Sequence, residues 1–422
     1  MAPLTRAAGE IVVPGDKSIS HRALILGALG ATRTRIRGVL RSHDVQSTAG
    51  VLRAMGVNVP ALAGDMNIAG RGLRGLRAPD ADVDCGNSGT TARLLAGVVA
   101  GLPVSVRFTG DASLSRRPMG RVAKPLRMMG ARVETAEGER LPMTVHGGAL
   151  QPIEYTSEAA SAQVKSALLL AALVARVSVT VHEPEQSRDH TERMLQARGV
   201  DVRSMGRTVS LDPVESLSSL DVNVPGDPSS AAFFAALASL ASSGELMIRE
   251  VCLNPTRTGF LETLRAMGGH VHIENSRLEG GEPIGDVRVT PASLRATRVD
   301  SAQVPAMVDE LPLVAILAAR AEGETIIAGA AELRVKESDR IAAMVQNLRA
   351  IGAHAEEQPD GLIVRGNDSP LKGRVVTHGD HRVAMAFGVL GAIQGNEIEI
   401  DDPDCVAVSF PGFWEELHRV TS

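Results

Sequence analysis

Apolar residues in this chain gather into short runs, each entered through a polar or glycine-rich loop. Ala23–Leu29 and Val383–Leu390 are two of them, and others follow Asp84–Leu94, Ser161–Ser166, Val224–Ala231 and Asp309–Pro312. Their continuity predicts apolar helices. A second pattern runs beside the first. A leucine, three residues, a glycine and a strand-like segment recur at Leu52–Gly56, Leu126–Gly130, Leu195–Gly199, Leu264–Gly268 and Leu348–Gly352, with a clipped sixth copy at Leu417–Val420. The leucines stand 74, 69, 69, 84 and 69 residues apart. Each phrase predicts the last turn of a helix, a glycine at positive φ and a following strand. Helix-then-strand alternation at this period implies α/β units of about seventy residues.

One turn occurs twice. Val13-Pro14-Gly15-Asp16-Lys17-Ser18 ends an apolar strand (Ile11 to Val13) and opens the Ala23–Leu29 run, and Val224-Pro225-Gly226-Asp227-Pro228-Ser229 repeats it without the Lys and Arg. Six units split at this turn give three per half. The expected domains are residues 1–14 plus 226–422 and residues 15–225, with the N-terminal strand joining the second half. A duplicated scaffold with cations on one copy predicts an asymmetric active site in the interdomain cleft.

Composition narrows the class. A chain of 422 residues exceeds one typical core. One Trp, one Tyr and seven Phe leave few platforms for stacking bases, and a net charge of −5 argues against bulk binding to nucleic acid or anionic membrane. Cys85, Cys252 and Cys405 form no CxxC pair and read as reduced thiols. No apolar run reaches membrane-spanning length, and Met1 to Glu10 has no apolar signal core, so a soluble cytoplasmic protein is expected.

The loops before the apolar runs carry the candidate chemistry. Lys17, Arg22, Arg117, Arg188, Lys336, Arg340 and Arg382 all fall at expected loop–helix junctions, where unpaired N–H groups favour anions. The loop Asp84–Leu94 is either a tight helix start or an anion cradle. Ser161 reads as an N-cap. The run Arg334–Arg340 would, in isolation, be a solvated face. Gly70–Gly75 matches GxGxxG but lacks the following helix, and Gly15–Ser18 lacks the Walker A spacing. His378, Asp380 and His381 offer too few ligands for a metal site, so no metal is expected. Cations converging on a mildly acidic protein predict a small polyanionic substrate, with Asp309 and Glu337 available for proton transfer.

These residues resemble the 5-enolpyruvylshikimate-3-phosphate synthase family. The matching stretches are PGDKSISHRAL, GNSGTTARL, GDASLSRRPM, SAQVKSALLLA, SRDHTERML, VDELP, RVKESDRI and GDHRVAMA, in the family's order over nearly the whole chain. GDASLSRRPM and SRDHTERML are similar to the divergent bacterial class. The resemblance implies a two-domain, inside-out α/β barrel fold of six βαβαββ repeats, three per domain, joined by two crossover strands and closing on substrate. It implies transfer of the enolpyruvyl group from phosphoenolpyruvate to shikimate 3-phosphate through a tetrahedral intermediate, with no cofactor or metal. By the same resemblance Asp309 is the base on the 5-hydroxyl, and Glu337 and Lys17 are the proton donors. Lys17, Gly89, Arg117, Gln163, Arg340 and Arg382 match phosphoenolpyruvate positions. Lys17, Ser18, Arg22, Ser161, Ala162, Gln163, Arg188, Asp309 and Lys336 match shikimate 3-phosphate positions. A monomer acting on small molecules, away from nucleic acid and membrane, is expected.

Two positions depart from the best-known members. Ala162 replaces a second Ser, leaving only its backbone to meet ligand, and Val408-Ser409-Phe410-Pro411 lacks a Lys before Phe-Pro. A sister enzyme that uses a UDP-amino sugar shares the donor, but its members usually carry a Cys in the loop corresponding to 110–120, and an Asn where this chain has Ser18. A non-catalytic anion binder would have lost Lys17, Asp309 or Glu337, and all three are present. An RNA-end-processing enzyme of related fold is disfavoured by the acidic balance and scarce aromatics.

Overall fold

A computed structural model describes residues 5–422; the first four residues of the expected 1–14 segment lie outside it. The chain divides into two compact units. One spans Gly15–Val224 together with Glu279–Glu282; the other holds the N-terminal residues through Pro14, Pro225–Leu278 and Pro283–Ser422. The division places Pro225 with the second unit, one residue from the expected boundary, and the exchange of Glu279–Glu282 was not foreseen. That turn joins the first unit through buried Glu282, whose Oε1 lies 2.8 Å from His190 Nδ1.

In the Lys17 unit the helices are α1 (Lys17–Leu29), α2 (His43–Ala54), α3 (Gly89–Ala100), α4 (Ala112–Arg116), α5 (Gly120–Met128), α6 (Ala162–Ala175) and α7 (His190–Gln196). Helices α1, α3 and α6 are apolar on nearly every face and almost wholly buried, because they are covered on all sides. Gly97 lets α3 approach α6, since a Cβ there would lie 2.2 Å from the Ala167 carbonyl oxygen. Three small sheets surround these helices. One runs Val83–Asp84, Ser105–Thr109, Arg140–His146, Arg132–Ala136: a parallel pair beside an antiparallel hairpin. The sheet of Ile153–Thr156, Val179–His182, Thr208–Leu211 and Val202–Met205 repeats it. In the third, Val222–Asn223 from the end of the unit pairs parallel with Arg33–Arg37.

The Asp309 unit follows the same plan. Its helices are α8 (Pro228–Leu240), α9 (Gly259–Ala266), α10 (Leu311–Ala318), α11 (Arg340–Ala350), α12 (His381–Gly391) and α13 (Phe413–Thr421). Now α8, α10 and α12 are the apolar, buried ones. The N-terminal strand Gly9–Val12 pairs parallel with Leu246–Cys252 here. Four of the seven phenylalanines and the single Trp cluster in this unit, with ring centroids of Phe233, Phe234, Phe410, Phe413 and Trp414 5.0–5.9 Å apart.

The recurring phrase now has a physical basis. Leu52, Leu126, Leu195, Leu264 and Leu348 are fully buried, and the glycine four residues on has φ between +79° and +105° in every copy. The main-chain N–H one residue beyond each glycine donates back to the leucine carbonyl, at 2.8–3.1 Å. The residue after each leucine adds a clasp. Arg53, Arg127, Gln196, Arg265 and Arg349 donate to the carbonyl six residues on, at 2.6–3.1 Å, and so tie each helix end to the strand it feeds.

Candidate active site

The doubled turn sets the two helices that matter first. Asp16 and Asp227 each cap the helix that follows, accepting from Ile19 N and Ser229 N at 2.7 Å. Both glycines are required by close packing: a Cβ on Gly15 would lie 1.9 Å from the Gly38 carbonyl oxygen, and one on Gly226 2.8 Å from Val13 Cγ2. The scaffold is shared. The charges differ, because Lys17 and Arg22 sit on α1 and have no counterpart on α8.

In the Lys17 unit, Lys17 Nζ reaches Asp44 Oδ2 at 2.9 Å. Arg22 is buried on the second turn of α1, where Nε donates to Thr191 Oγ1 and Nη2 to Ser166 Oγ, both at 2.7 Å, and Nη1 to the Ser18 carbonyl at 3.0 Å. Burial pulls its pKa down to about 10, and Arg188 adds to the effect as a neighbouring positive charge. Arg188 itself stands half-buried just before the α7 cap, Asp189. Thus α1, α6 and α7 meet through Arg22.

Ser161 caps α6, accepting from Val164 N at 3.4 Å, and Ala162 and Gln163 form its half-buried first turn. Gln163 is wired to α3: its Oε1 accepts from Arg93 Nη1 at 2.7 Å and its Nε2 donates to Thr90 Oγ1 at 2.9 Å. Gly89 opens α3 below Arg93, where a Cβ would lie 2.6 Å from Arg93 Nη1. Ser88 caps α3, so the loop before it is a tight helix start whatever else it holds. Arg117 ends α4 and stands three residues before Gly120 opens α5, at a junction between the two helices. Its Nη2 donates to Asn87 Oδ1, whose amide nitrogen donates to Asp111 Oδ2 at 2.7 Å. Arg93 and Asn87, both within GNSGTTARL, are the polar groups that Gln163 and Arg117 bond to, and nothing in their spacing marks them.

The Asp309 unit gathers carboxylates around two arginines. Arg340, 1% exposed, opens α11 and donates to Asp380 Oδ2 at 2.8 Å, Glu337 Oε2 at 2.6 Å and Asp309 Oδ1 at 3.4 Å. Burial alone would drive its proton off, but the three carboxylates outweigh burial and raise its pKa. Asp380, fully buried, would likewise be raised by burial, yet the Arg340 charge holds it below the usual carboxylate range. It also caps α12 through Arg382 N at 3.0 Å. Arg382 Nη1 donates to the Asp309 carbonyl at 3.1 Å and lies 3.6 Å from Glu310 Oε1. Glu310 in turn accepts from Ser229 Oγ on α8. Lys336 stands apart from these bonds and pairs with Glu332 at 2.7 Å.

The run Arg334–Arg340, which reads locally as a solvated face, therefore ends in a buried arginine, because Asp380 supplies the partner from forty residues away. Among the described residues, no group of three or more His, Cys, Asp or Glu side chains is placed to hold a metal ion, and no helix is long and apolar enough to cross a membrane. Chemically, the Asp309 unit offers two half-exposed carboxylates beside two guanidinium groups, a set suited to moving protons next to a bound anion. The Lys17 unit offers a lysine and three arginines at helix ends, suited to holding phosphate or carboxylate.

Comparison with known proteins follows the same line. The sequence model of EPSP synthase (3-phosphoshikimate 1-carboxyvinyltransferase) matches residues 1–417. The 3-phosphoshikimate 1-carboxyvinyltransferase of Desulfitobacterium hafniense (strain DSM 10664 / DCB-2) is 48% identical over 419 residues, which cover 99% of this chain and 96% of that one. That of Alkalilimnicola ehrlichii is 50% identical over 409 residues, covering 96% and 92%. The mixed α/β fold matches the solved EPSP synthase from Acinetobacter baumannii, with a TM-score of 0.89 at 42% identity, over 99% of this chain and 97% of that one.

Proposed function

The chain belongs to the EPSP synthase family, and on that premise we propose which of its residues carry the reaction. The enzyme transfers the enolpyruvyl group of phosphoenolpyruvate to shikimate 3-phosphate and releases phosphate, a step of the shikimate pathway to aromatic amino acids. The acceptor oxygen is the 5-hydroxyl. It bonds to C2 of phosphoenolpyruvate as C3 gains a proton, giving a tetrahedral intermediate; loss of a C3 proton and of phosphate then yields the enol ether.

In this reading Asp309 takes the hydroxyl proton, and Glu337 and Lys17 serve the proton at C3. Lys17, Arg117, Gln163, Arg340 and Arg382 hold phosphoenolpyruvate, with Gly89 leaving room. Ser18, Arg22, Ser161, the Ala162 backbone, Gln163, Arg188 and Lys336 hold shikimate 3-phosphate. The observation that carries the assignment is the grip of Arg340 on Glu337 at 2.6 Å and Asp309 at 3.4 Å, which keeps both carboxylates beside anion-binding groups. Each positioned acid or base contributes about 10²–10⁴-fold.

The finer architecture is read as six βαβαββ repeats forming two inside-out α/β barrels. Support comes from the alternation of apolar and half-buried helices and from the parallel pair beside a hairpin in four of the sheets. The chain is taken to work as a cytoplasmic monomer on small molecules. Enolpyruvyl transfer to a UDP-amino sugar is not favoured. The test is phosphate release from phosphoenolpyruvate with shikimate 3-phosphate and UDP-N-acetylglucosamine offered separately. Release with the first acceptor alone is expected; release with the sugar nucleotide alone would overturn the assignment.

A further inference from the structure

We propose that the buried Lys165–Glu183–Glu192 triad positions the shikimate 3-phosphate site by fixing Ser187, the residue directly before Arg188; the inference rests on the assignment of Arg22, Ser161–Gln163 and Arg188 to that substrate. Lys165 Nζ, on α6, lies 2.6 Å from Glu183 Oε2 and 2.9 Å from Glu192 Oε1, and all three side chains are at most 2% exposed. Glu183 follows the strand Val179–His182, and Glu192 lies on α7. One ammonium thus ties three elements together.

The grip on Ser187 is threefold. Its N–H donates to Glu183 Oε2 at 3.4 Å, its hydroxyl donates to Glu183 Oε1, and its carbonyl accepts from Lys165 Nζ at 3.4 Å. With donor, hydroxyl and acceptor all engaged, the main chain entering Arg188 has one orientation. The triad also stands next to the Arg22 network. Ser166 and Thr191, the residues adjacent to Lys165 and Glu192, bond each other at 2.7 Å and accept the Arg22 guanidinium. Three segments that end in assigned substrate contacts are therefore aligned from one sealed cluster: α1 with Ser18 and Arg22, α6 with Ser161–Gln163, and the turn bearing Arg188.

Stability alone does not call for these charges. Apolar side chains of similar volume are often at least as stabilising as a buried ion cluster, because they avoid desolvating charge. What they lack is a set of directional bonds to a neighbouring backbone. Burial alone would lower the Lys165 pKa, but the two carboxylates raise it, so the ammonium stays charged and keeps its bonds. Sealed from solvent, the triad does not touch substrate; it acts through Ser187 and Arg188.

The experiment measures steady-state kinetics and thermal unfolding for Ser187→Ala and Glu183→Gln in the full chain, with Arg188→Ala as the reference. Ser187→Ala leaves the triad paired, so it carries the test if Glu183→Gln does not fold. The expected result is a rise of about tenfold in KM for shikimate 3-phosphate, the size of one lost hydrogen bond to a charged group. KM for phosphoenolpyruvate and kcat should stay within about twofold. A purely structural role would move both KM values together, and that outcome overturns the proposal. An unchanged KM in Ser187→Ala, beside a raised one in Arg188→Ala, overturns the positioning role alone. An unchanged KM in Arg188→Ala overturns the substrate assignment and this inference with it.

Discussion

Two clusters of buried charge in this molecule look alike on paper and differ in how they meet solvent. Lys165, Glu183 and Glu192 are at most 2% exposed, so their charges answer only to one another and to the chain around them. The Arg340 cluster is graded. Arg340 and Asp380 form a floor at 1% and 0% exposure, while Asp309 and Glu337 form a rim at 17% and 22%. A closed cluster can fix geometry but cannot exchange partners with a ligand. A graded one can do both, because the floor holds the arginine in place while the rim carboxylates remain reachable. On the assignment proposed above, proton transfer falls to the rim.

The largest expected effect tests that rim. Asp309→Ala should lower turnover by about 10²–10⁴-fold, the contribution of one positioned acid–base group, while phosphoenolpyruvate still binds through Arg340 and Arg382. Phosphate release and calorimetric binding check the two halves separately. Asp309 also contacts both arginines. Equal loss of binding and turnover would therefore mean that its role is to hold them and not to take a proton.

Next comes the floor. Asp380→Ala leaves Arg340 buried without its closest floor partner, and removing one member of a buried pair costs about 3–5 kcal/mol. The midpoint of urea unfolding should fall accordingly. Asp309→Ala, at the rim, should shift it far less. Similar losses from both would remove the distinction between floor and rim.

A third test uses pH. His21, buried on α1, bonds Thr48 Oγ1 through Nδ1 at 2.7 Å. Burial pushes its pKa down to about 3, and Lys17 and Arg22 push the same way against Asp44. The unfolded chain takes up that proton near pH 6.5 and the folded one does not. The stability so gained is fully present above pH 6.5 and is lost as pH falls from there toward 3. At pH 5 the loss is on the order of 2 kcal/mol. His21→Gln cannot titrate, so the unfolding free energy of the wild type, read from urea titrations, should fall relative to that of the variant by this amount between pH 7 and 5.

How much of this was open to sequence reading depends on distance along the chain. The leucine–glycine phrase is local, since every bond that defines it spans at most six residues; helix ends, strands and repeat were therefore legible. So was the doubled turn, whose caps lie within three residues. Candidate residues were legible through the family resemblance, but their partners were not. Lys165 carries no local sign that Glu183 and Glu192 will enclose it, and Arg340 none of Asp380. Lys336, grouped by sequence with Glu337 and Arg340, turns to Glu332 because that carboxylate sits one helical turn away. Nothing in the spacing of the hairpin around Gly280 and Gly281 signals that Glu282 will be buried against His190.

The smallest expected effect isolates burial from geometry. Lys124 Nζ and Glu158 Oε1 stand 2.6 Å apart, the same separation as Lys165 and Glu183, but the pair is 62% and 80% exposed. At equal distance the Coulomb term is screened by water and ions, and holding two long side chains together costs rotamer freedom. Lys124→Met should leave the unfolding midpoint without a measurable shift. Lys165→Met strands two carboxylates in the interior and should cost about 3–5 kcal/mol, unless Glu183 and Glu192 take up protons to escape the charge. That escape has its own signature: the Lys165→Met protein would regain stability as pH is lowered, while Lys124→Met would not. If the two lysine variants behave alike at every pH, separation and not burial sets the strength of these pairs, and the contrast between closed and graded clusters loses its basis.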